Sequence, residues 1–302
     1  MQIDLNRFRG CLLGLAVGDA VGTTVEFKPR GSFPPVTDMV GGGPFHLKAG
    51  QWTDDTSMAL CLGTSLISKN GFDPVDQMDR YWDWYRNGYL SSTAECFDIG
   101  ITIHRSLEEY QRTGNPFSGS TSPDTAGNGS LMRLAPIPLF YFPDLEKILN
   151  FAGDSSRTTH GAQECIDACQ LLAEMIFRAL SGIKREDILF NTTVTLSSPK
   201  VAAIAGGEYR QKSVAQIKGT GYVVQSLEAA LWCFYQTDTF ESAILQAANL
   251  GDDADTTAAI CGQIAGAFYG ESGIPTKWLE TLFMRAEITA LADKFSGAHD
   301  VG

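Results

Sequence analysis

The chain has 302 residues, of which 44% are hydrophobic and 19% are charged, a composition typical of a globular protein with a substantial core. The net charge of −12 and the absence of a run rich in Lys and Arg argue against nucleic acid or an anionic membrane surface as a partner. The seven Cys include no CxxC pair and lie mostly in apolar runs. This pattern indicates reduced thiols and predicts a cytoplasmic protein.

The first predicted helix contains the apolar run 11-CLLGLAVG-18. The run is too short to span a bilayer and leads directly into Asp19, so we expect neither a membrane span nor a targeting segment. Gly14, Gly18 and Gly22 recur at every fourth position, which places them on one face of the helix. This spacing predicts a seam where a second helix packs closely.

The next helix, predicted over 56–67, is preceded by Thr53, Asp54 and Asp55. A Thr or Asp at a helix start accepts hydrogen bonds from unpaired N–H groups, and carboxylates there meet the positive end of the helix dipole. Capping explains one such residue well and three side by side less well.

Asp98, in 95-ECFDIGITIHR-105, is a lone acid among apolar residues. Burial would raise its pKa into a range useful for acid–base catalysis. The alternative is a structural role, either as a buried helix cap or as the partner of Arg105 in an ion pair.

The loop 126-AGNGSLMR-133 offers the backbone N–H groups of Gly127 and Gly129 to a pyrophosphate, ahead of a helix that we expect to begin near Leu131. No Lys-Ser/Thr pair follows, so the loop is not a P-loop. Taken alone, the loop is better explained as an ordinary glycine-rich helix start.

Two further residues in the second half are candidates for ligand contact. His160 opens the long helix predicted to run to Leu180, and it is either a surface or capping residue or a ligand contact. Tyr222 precedes the helix predicted over 223–235, and its ring either stacks on a base or packs in the core. The segment 192-TTVTLSS-198 carries the best strand signal of a chain with few such signals.

A second acidic cluster lies almost 200 positions after the first, between helices predicted over 241–250 and 256–270. Asp253, Asp255 and Thr256 form this cluster, and Asp252 is adjacent. If the two helix starts face each other, they gather four carboxylates and two hydroxyls around one point. Such hard oxygen donors suit Mg²⁺, Mn²⁺ or Ca²⁺ rather than structural zinc, and a cation would relieve the repulsion between them.

Helical periodicity dominates the chain, strands do not alternate with helices, and no flexible linker divides the sequence. The sequence therefore predicts an all-α protein with a single compact domain over residues 1–302. We expect it to be a monomer.

Together, the motifs resemble the ADP-ribosylglycohydrolase family, and within it the bacterial dinitrogenase reductase-activating glycohydrolases. The matching segments are 14-GLAVGDAVGTTVEF-27, 50-GQWTDDTSMAL-60, 126-AGNGSLMR-133, 157-RTTH-160, 221-GYVVQSLEAALW-232 and 251-GDDADTTAAICGQIAGAFYG-270. The resemblance implies an all-α hydrolase that cleaves the glycosidic bond at the ribose C1″ of ADP-ribose with two divalent cations, Mg²⁺ or Mn²⁺. The substrate would be an ADP-ribosylated protein or a small ADP-ribosyl compound.

The resemblance also implies roles for individual residues. The metal ligands would be Thr53, Asp54, Asp55, Asp253, Asp255 and Thr256. Glu26 and Asp98 would move the protons, with the acid and base roles left open. The loop Gly127, Asn128, Gly129 and Ser130 would hold the diphosphate, and His160 and Tyr222 would contact the ADP part. Ile101 departs from that branch, which has Asn three residues after the catalytic Asp, so the protein target is expected to differ.

Arginine is the expected acceptor on the modified protein. Two alternatives stay open: hydrolysis of serine-linked or O-acetyl-ADP-ribose, and a non-catalytic relative that only binds ADP-ribose. The complete set of metal donors favours an enzyme over the second alternative.

Overall fold

The structure is a computed structural model that describes residues 3–297. Within that range it contains α-helices joined by loops and short 3-10 turns, and no β-strand. The α-helices are α1 (Leu5–Gly22), α2 (Asp54–Lys69), α3 (Pro74–Asn87), α4 (Ile101–Thr113), α5 (Pro136–Tyr141), α6 (Leu145–Arg157), α7 (Gln163–Leu180), α8 (Arg185–Phe190), α9 (Pro199–Ala205), α10 (Val223–Gln236), α11 (Phe240–Ala248), α12 (Ala254–Tyr269), α13 (Thr276–Thr281) and α14 (Arg285–Gly297). The prediction of an all-α protein is confirmed, and so are the five helices predicted from periodicity, which correspond to α2, α7, α10, α11 and α12.

The strand predicted at 192–198 is wrong, although its backbone is extended. Carboxylates of α7 take the place of a neighbouring strand. Glu174 accepts hydrogen bonds from the N–H groups of Thr193 and Val194 at 2.8 and 2.9 Å. Asp167 accepts one from the N–H of Ser197 at 2.7 Å. The β-branched residues therefore lie along a helix, and their backbone is satisfied by side chains.

Helices α1 and α12 pack along a seam of small residues at the centre of the fold. A Cβ atom built on Gly14 would lie 2.3 Å from the carbonyl oxygen of Gly262, and one on Gly18 would lie 2.2 Å from that of Ala258. Real Cβ atoms do not approach a backbone oxygen so closely, so these positions must be glycine. The predicted seam is thereby confirmed, and it fixes where Asp19 of α1 stands relative to the start of α12.

Other helices pack around this pair. Helix α14 packs on α1, α7 and α10 pack on α12, and α11 contacts both, chiefly α12. By length and composition alone, the segment Leu5–Val25 could cross a membrane, but 89% of its most apolar window is buried inside the fold. Its hydrophobicity therefore serves the core. The seven cysteines are free thiols, and six of them are buried.

Candidate active site and metal centre

The two acidic clusters meet across the α1–α12 seam, at the N-terminal ends of α2 and α12. Thr53 Oγ1 donates a hydrogen bond to Asp255 Oδ2 at 3.3 Å, and Thr256 Oγ1 donates one to Asp55 Oδ1 at 3.2 Å. All four side chains are buried. Residues that are about 200 positions apart in sequence thus contact each other reciprocally.

Capping does not explain these clusters. Thr53 and Asp253 occupy the N-cap positions of α2 and α12, yet neither side chain makes a capping hydrogen bond. The start of α2 is capped by Asp19 of α1. Its carboxylate accepts from the N–H and Oγ1 of Thr53, both at 2.9 Å, and from the N–H and Oγ1 of Thr56, at 3.0 and 2.6 Å.

Sequence reasoning assigned no role to Asp19. The available signal was a lone acid inside an apolar helix, between two glycines of the seam. Asp19 is fully buried, and its four hydrogen bonds hold Thr53 and Thr56 in place. Because Asp19 caps the helix, the carboxylates of Asp54 and Asp55 are not needed as caps.

Glu26 and Asp98 join the same cluster. Each of Glu26, Asp98 and Asp255 offers a carboxylate oxygen, and the three oxygens lie within 4.8 Å of one another. Glu26 follows the 3-10 turn after α1, and Asp98 lies in the loop before α4 with a left-handed φ of 58°. Among the described residues, Asp98 forms no ion pair with Arg105, which removes that alternative.

Burial and mutual repulsion shift the titration of this cluster. Burial raises the pKa of Glu26 to about 9, and the charges of Asp98 and Asp253 act in the same direction. Burial likewise raises the pKa of Asp98 to about 7, with Asp253 and Asp19 contributing. The pKa values of Asp54, Asp55 and Asp255 are raised well above the ordinary value, first by burial and then by neighbouring carboxylates.

The donor set fits divalent cations. Asp55 Oδ2 and Asp255 Oδ1 are buried and have no hydrogen-bond partner within the described protein, although buried carboxylate oxygens are normally paired. A hard cation would satisfy these oxygens and offset the repulsion that raises the pKa values. The acidic triad of Glu26, Asp98 and Asp255, of which Asp98 is half-buried and the other two are buried, can therefore bind a metal ion.

A cavity of about 780 Å³ opens onto this cluster. Its acidic wall includes Glu26, Asp54, Asp98 and Asp253, and the loop after α3 and the glycine-rich loop complete it. This volume lies within the usual range for a small-molecule site.

The glycine-rich loop borders the cavity, but its geometry differs from the expectation. The helix expected near Leu131 is replaced by turns, and α5 begins only at Pro136. The N–H of Gly127 donates to Thr125 O at 2.8 Å, so it is engaged within the protein. In the described chain, the N–H groups of Gly129 and Ser130 have no protein acceptor.

Two side chains of this loop are engaged in the protein. Asn128 Nδ2 donates to Asp253 Oδ2 at 2.7 Å, which ties the loop to the second acidic cluster. Ser130 Oγ accepts from Ser156 Oγ at 2.9 Å. Both side chains thus position the loop.

His160 lies beneath the loop, in the turn between α6 and α7 and not at the start of α7. Burial, aided by the charge of Arg133, lowers the pKa of His160 to about 3, so the ring is neutral. A Cβ atom on Gly129 would lie 2.8 Å from His160 Cε1. His160 therefore lines the cavity and requires glycine at position 129.

Tyr222 lies farther from the cavity and is not among the described residues that line it. Its hydroxyl donates to Glu164 Oε2 at 2.6 Å and accepts from Lys200 Nζ at 2.7 Å. The Lys200 ammonium also lies 5.2 Å from the ring centroid. The neighbouring Gly221 does line the cavity, and its carbonyl accepts the N–H of Asn128 at 3.1 Å.

Comparison with known proteins gives a consistent result. Residues 1–301 match the family model described as ADP-ribosylglycohydrolase. The chain is 48% identical to an ADP-ribosylarginine hydrolase, Tri1, of Pseudomonas putida, covering 96% of this chain and 78% of that protein. It is 33% identical to the ADP-ribosyl-[dinitrogen reductase] glycohydrolase of Rhodospirillum rubrum, covering 93% and 92%.

A solved structure supports the same assignment. It is described as an ADP-ribosylglycohydrolase-related protein complex, and it matches with a TM-score of 0.86 and 43% identity over 97% of this chain and 98% of that chain. The predicted resemblance is confirmed: the chain belongs to the ADP-ribosylglycohydrolase family, a family of glycosyl hydrolases.

Proposed function

We propose that the protein hydrolyses the glycosidic bond between ADP-ribose and an arginine side chain of a modified protein. The observation that carries this proposal is the charge of the cavity. Among the described residues, the cavity is lined by no Lys or Arg and by five carboxylate residues: Glu26, Asp54, Asp98, Asp252 and Asp253. A guanidinium acceptor is a cation, so carboxylates that stay ionised once metal is bound would attract it, whereas a neutral serine or acetyl acceptor gains nothing from them. Two relatives at 46–48% identity bear the name ADP-ribosylarginine hydrolase.

We further propose two divalent cations, Mg²⁺ or Mn²⁺, held by the two acidic clusters. The ligands would be Thr53, Asp54, Asp55, Asp253, Asp255 and Thr256. When bound, the cations would polarise the ribose hydroxyls and orient a water. The unpartnered oxygens of Asp55 and Asp255 and the hard-oxygen donor set support this assignment.

Proton transfer falls to Glu26 and Asp98. In the metal-free cluster burial raises the pKa of Glu26 to about 9 and that of Asp98 to about 7, and a bound cation would lower both, so this role rests on their position and on their being carboxyl groups. Both line the cavity, so either can reach a ligand there. Cleavage of a glycosidic bond passes through an oxocarbenium-like state, which nearby carboxylates stabilise.

The glycine-rich loop would bind the diphosphate through the N–H groups of Gly129 and Ser130. Gly127 and Asn128 shape that loop, and neutral His160 supports it without adding charge. Tyr222 would act at the edge of the site, where its hydrogen bonds to Glu164 and Lys200 fix the ring.

The proposal is tested by assaying release of ADP-ribose from arginine-, serine- and acetyl-linked substrates in parallel, with the protein chelated and then restored with single metals. We expect release from the arginine-linked substrate alone, and only with Mg²⁺ or Mn²⁺. Full activity in chelator, or rescue by zinc alone, would refute the metal assignment. Release only from another linkage would refute the acceptor.

Four broader expectations stay proposals. We propose one domain over 1–302, supported by the family match to residues 1–301 and by the common helical core. We propose a cytoplasmic location, supported by seven free cysteines. We also propose that the protein acts as a monomer and binds no nucleic acid, which its acidic charge supports.

A further inference from the structure

An exposed apolar rim lies at the mouth of the acidic cavity. Phe27 and Ile101 both line the cavity, yet 64% and 73% of their surfaces are exposed. Phe27 directly follows Glu26, and Ile101 follows Asp98 by three residues. The most exposed large apolar side chains of the described chain thus stand beside the two acids expected to move protons.

Aromatic contacts extend this rim. The rings of Phe27 and Phe45 meet edge to face with centroids 6.3 Å apart, and those of Phe45 and Phe97 lie 5.1 Å apart. The row joins two parts of the connection between α1 and α2 with the loop that carries Asp98. Neighbouring rings therefore restrict where the Phe27 side chain can go.

The backbone also holds Phe27 in place. Its φ of 61° is left-handed, which is unusual for a bulky side chain. The N–H of Phe27 donates to Asp252 O at 2.7 Å, and the N–H of Asp252 donates to Lys28 O at 2.8 Å. Asp252 is itself left-handed, with φ of 55°. These two hydrogen bonds fix the backbone that carries the exposed ring at the edge of the cavity, and such strain is most often retained where it serves a site.

We propose that Phe27 and Ile101 form the acceptor subsite, in which the Phe27 ring stacks on the guanidinium of the modified arginine and Ile101 contacts its methylene stem. The inference rests on the proposed arginine specificity. Once ADP-ribose occupies the interior, the acceptor side chain must leave past these residues, because they line the mouth beside Glu26 and Asp98. A guanidinium prefers an aromatic face, while its stem prefers apolar contact.

The subsite explains how an acidic cavity can favour arginine over a small cation. The carboxylates attract any cationic acceptor at a distance. The Phe27 ring adds stacking on the planar guanidinium, and an ammonium or hydroxyl group stacks less favourably on such a ring. Ile101 stands where the dinitrogenase reductase-activating branch has an Asn. The exposed apolar surface therefore suits a target with apolar residues beside the modified arginine.

The test measures kcat and KM on an arginine-linked substrate for Phe27→Ala, Phe27→Tyr and Ile101→Ala, together with the affinity for free ADP-ribose. The matched control is Val75→Ala, an exposed apolar residue at the start of α3. Phe27→Ala should lower kcat/KM by about 3- to 30-fold, through KM, with ADP-ribose affinity unchanged. Phe27→Tyr should retain activity because it keeps the aromatic face, and Ile101→Ala should show a smaller loss.

Competition by agmatine, a guanidinium on a four-carbon stem, against the arginine-linked substrate gives a second readout of the same contact. Its inhibition should weaken in Phe27→Ala and persist in Phe27→Tyr. Unchanged kcat/KM in Phe27→Ala, or an equal loss of ADP-ribose affinity, would overturn the subsite while leaving the proposed activity intact. A wild-type protein that releases nothing from the arginine-linked substrate would overturn the proposed function, and this inference with it.

Discussion

The most informative single substitution is Asp19→Asn. The side chain is fully buried and accepts four hydrogen bonds, two through each oxygen. Asn is nearly isosteric, but its amide nitrogen would face one backbone N–H and one hydroxyl. The hydroxyl can rotate to accept a hydrogen bond, whereas the N–H of Thr53 or Thr56 cannot.

The cost follows from these contacts. A buried N–H left without an acceptor costs about 1–3 kcal/mol, and the remaining hydrogen bonds lose the roughly doubled strength that an ionised acceptor gives. We therefore expect the free energy of unfolding to fall by about 3 kcal/mol, out of about 5–15 for a typical domain. Removing the charge also relieves repulsion on Asp54 and Asp55, so the loss should be smaller in chelator than with Mg²⁺.

The measurement is urea unfolding of the wild type and the variant, each in chelator and in Mg²⁺, with Mg²⁺ affinity by calorimetry. Asp144→Asn is the control, because Asp144 caps α6 at the surface and Asn caps as well as Asp there. That change should stay within about 0.5 kcal/mol. Wild-type stability and Mg²⁺ affinity in Asp19→Asn would refute the view that Asp19 positions Thr53.

Three further predictions concern the seam, the pH dependence and the proton carriers. Gly262→Ala would place a Cβ atom 2.0 Å from Gly14 O, so α1 and α12 must separate. We expect the free energy of unfolding to fall by about 1–3 kcal/mol and Mg²⁺ binding to weaken. The control is Gly297→Ala, where a Cβ atom meets no neighbour and no loss of stability is expected. In chelator, the pKa is about 9 for Glu26 and about 7 for Asp98 in the folded state, against about 4 in the unfolded state. The folded state therefore binds protons more tightly than the unfolded state. Proton binding stabilises the fold at low pH, and this stabilisation is lost as the pH rises. The melting temperature in chelator should therefore fall from about pH 5 to about pH 9, and Mg²⁺ should remove most of the fall; a rise over that window would contradict the shifts. Asp98→Asn should lower the single-turnover rate by about 10²–10⁴-fold with little change in ADP-ribose affinity, whereas a less stable variant with wild-type turnover would remove Asp98 from the mechanism.

Local patterns in the sequence were sufficient for several of the helices and for the chemistry of the donors. Apolar residues spaced three or four apart predicted α2, α7, α10, α11 and α12, because that spacing reflects which helix face is buried. The Thr and Asp pairs identified hard-oxygen ligands, since side-chain type alone sets that preference. The four-residue glycine spacing predicted a close seam, although not which helix would fill it.

Tertiary structure decided which residues meet. The approach of α1 to α12 brings Asp255 to Thr53 and places Asp19 under α2, and no local pattern records a contact across about 200 positions. The N–H groups of the extended segment 192–198 donate to the carboxylates of Glu174 and Asp167 on α7, which take the place of a neighbouring strand. The exposure of Phe27 beside the cavity also depends on tertiary structure. Phe27 and Asp252 have left-handed backbone, and the hydrogen bonds between the Phe27–Lys28 segment and Asp252 form only when the loop after α1 meets the loop before α12.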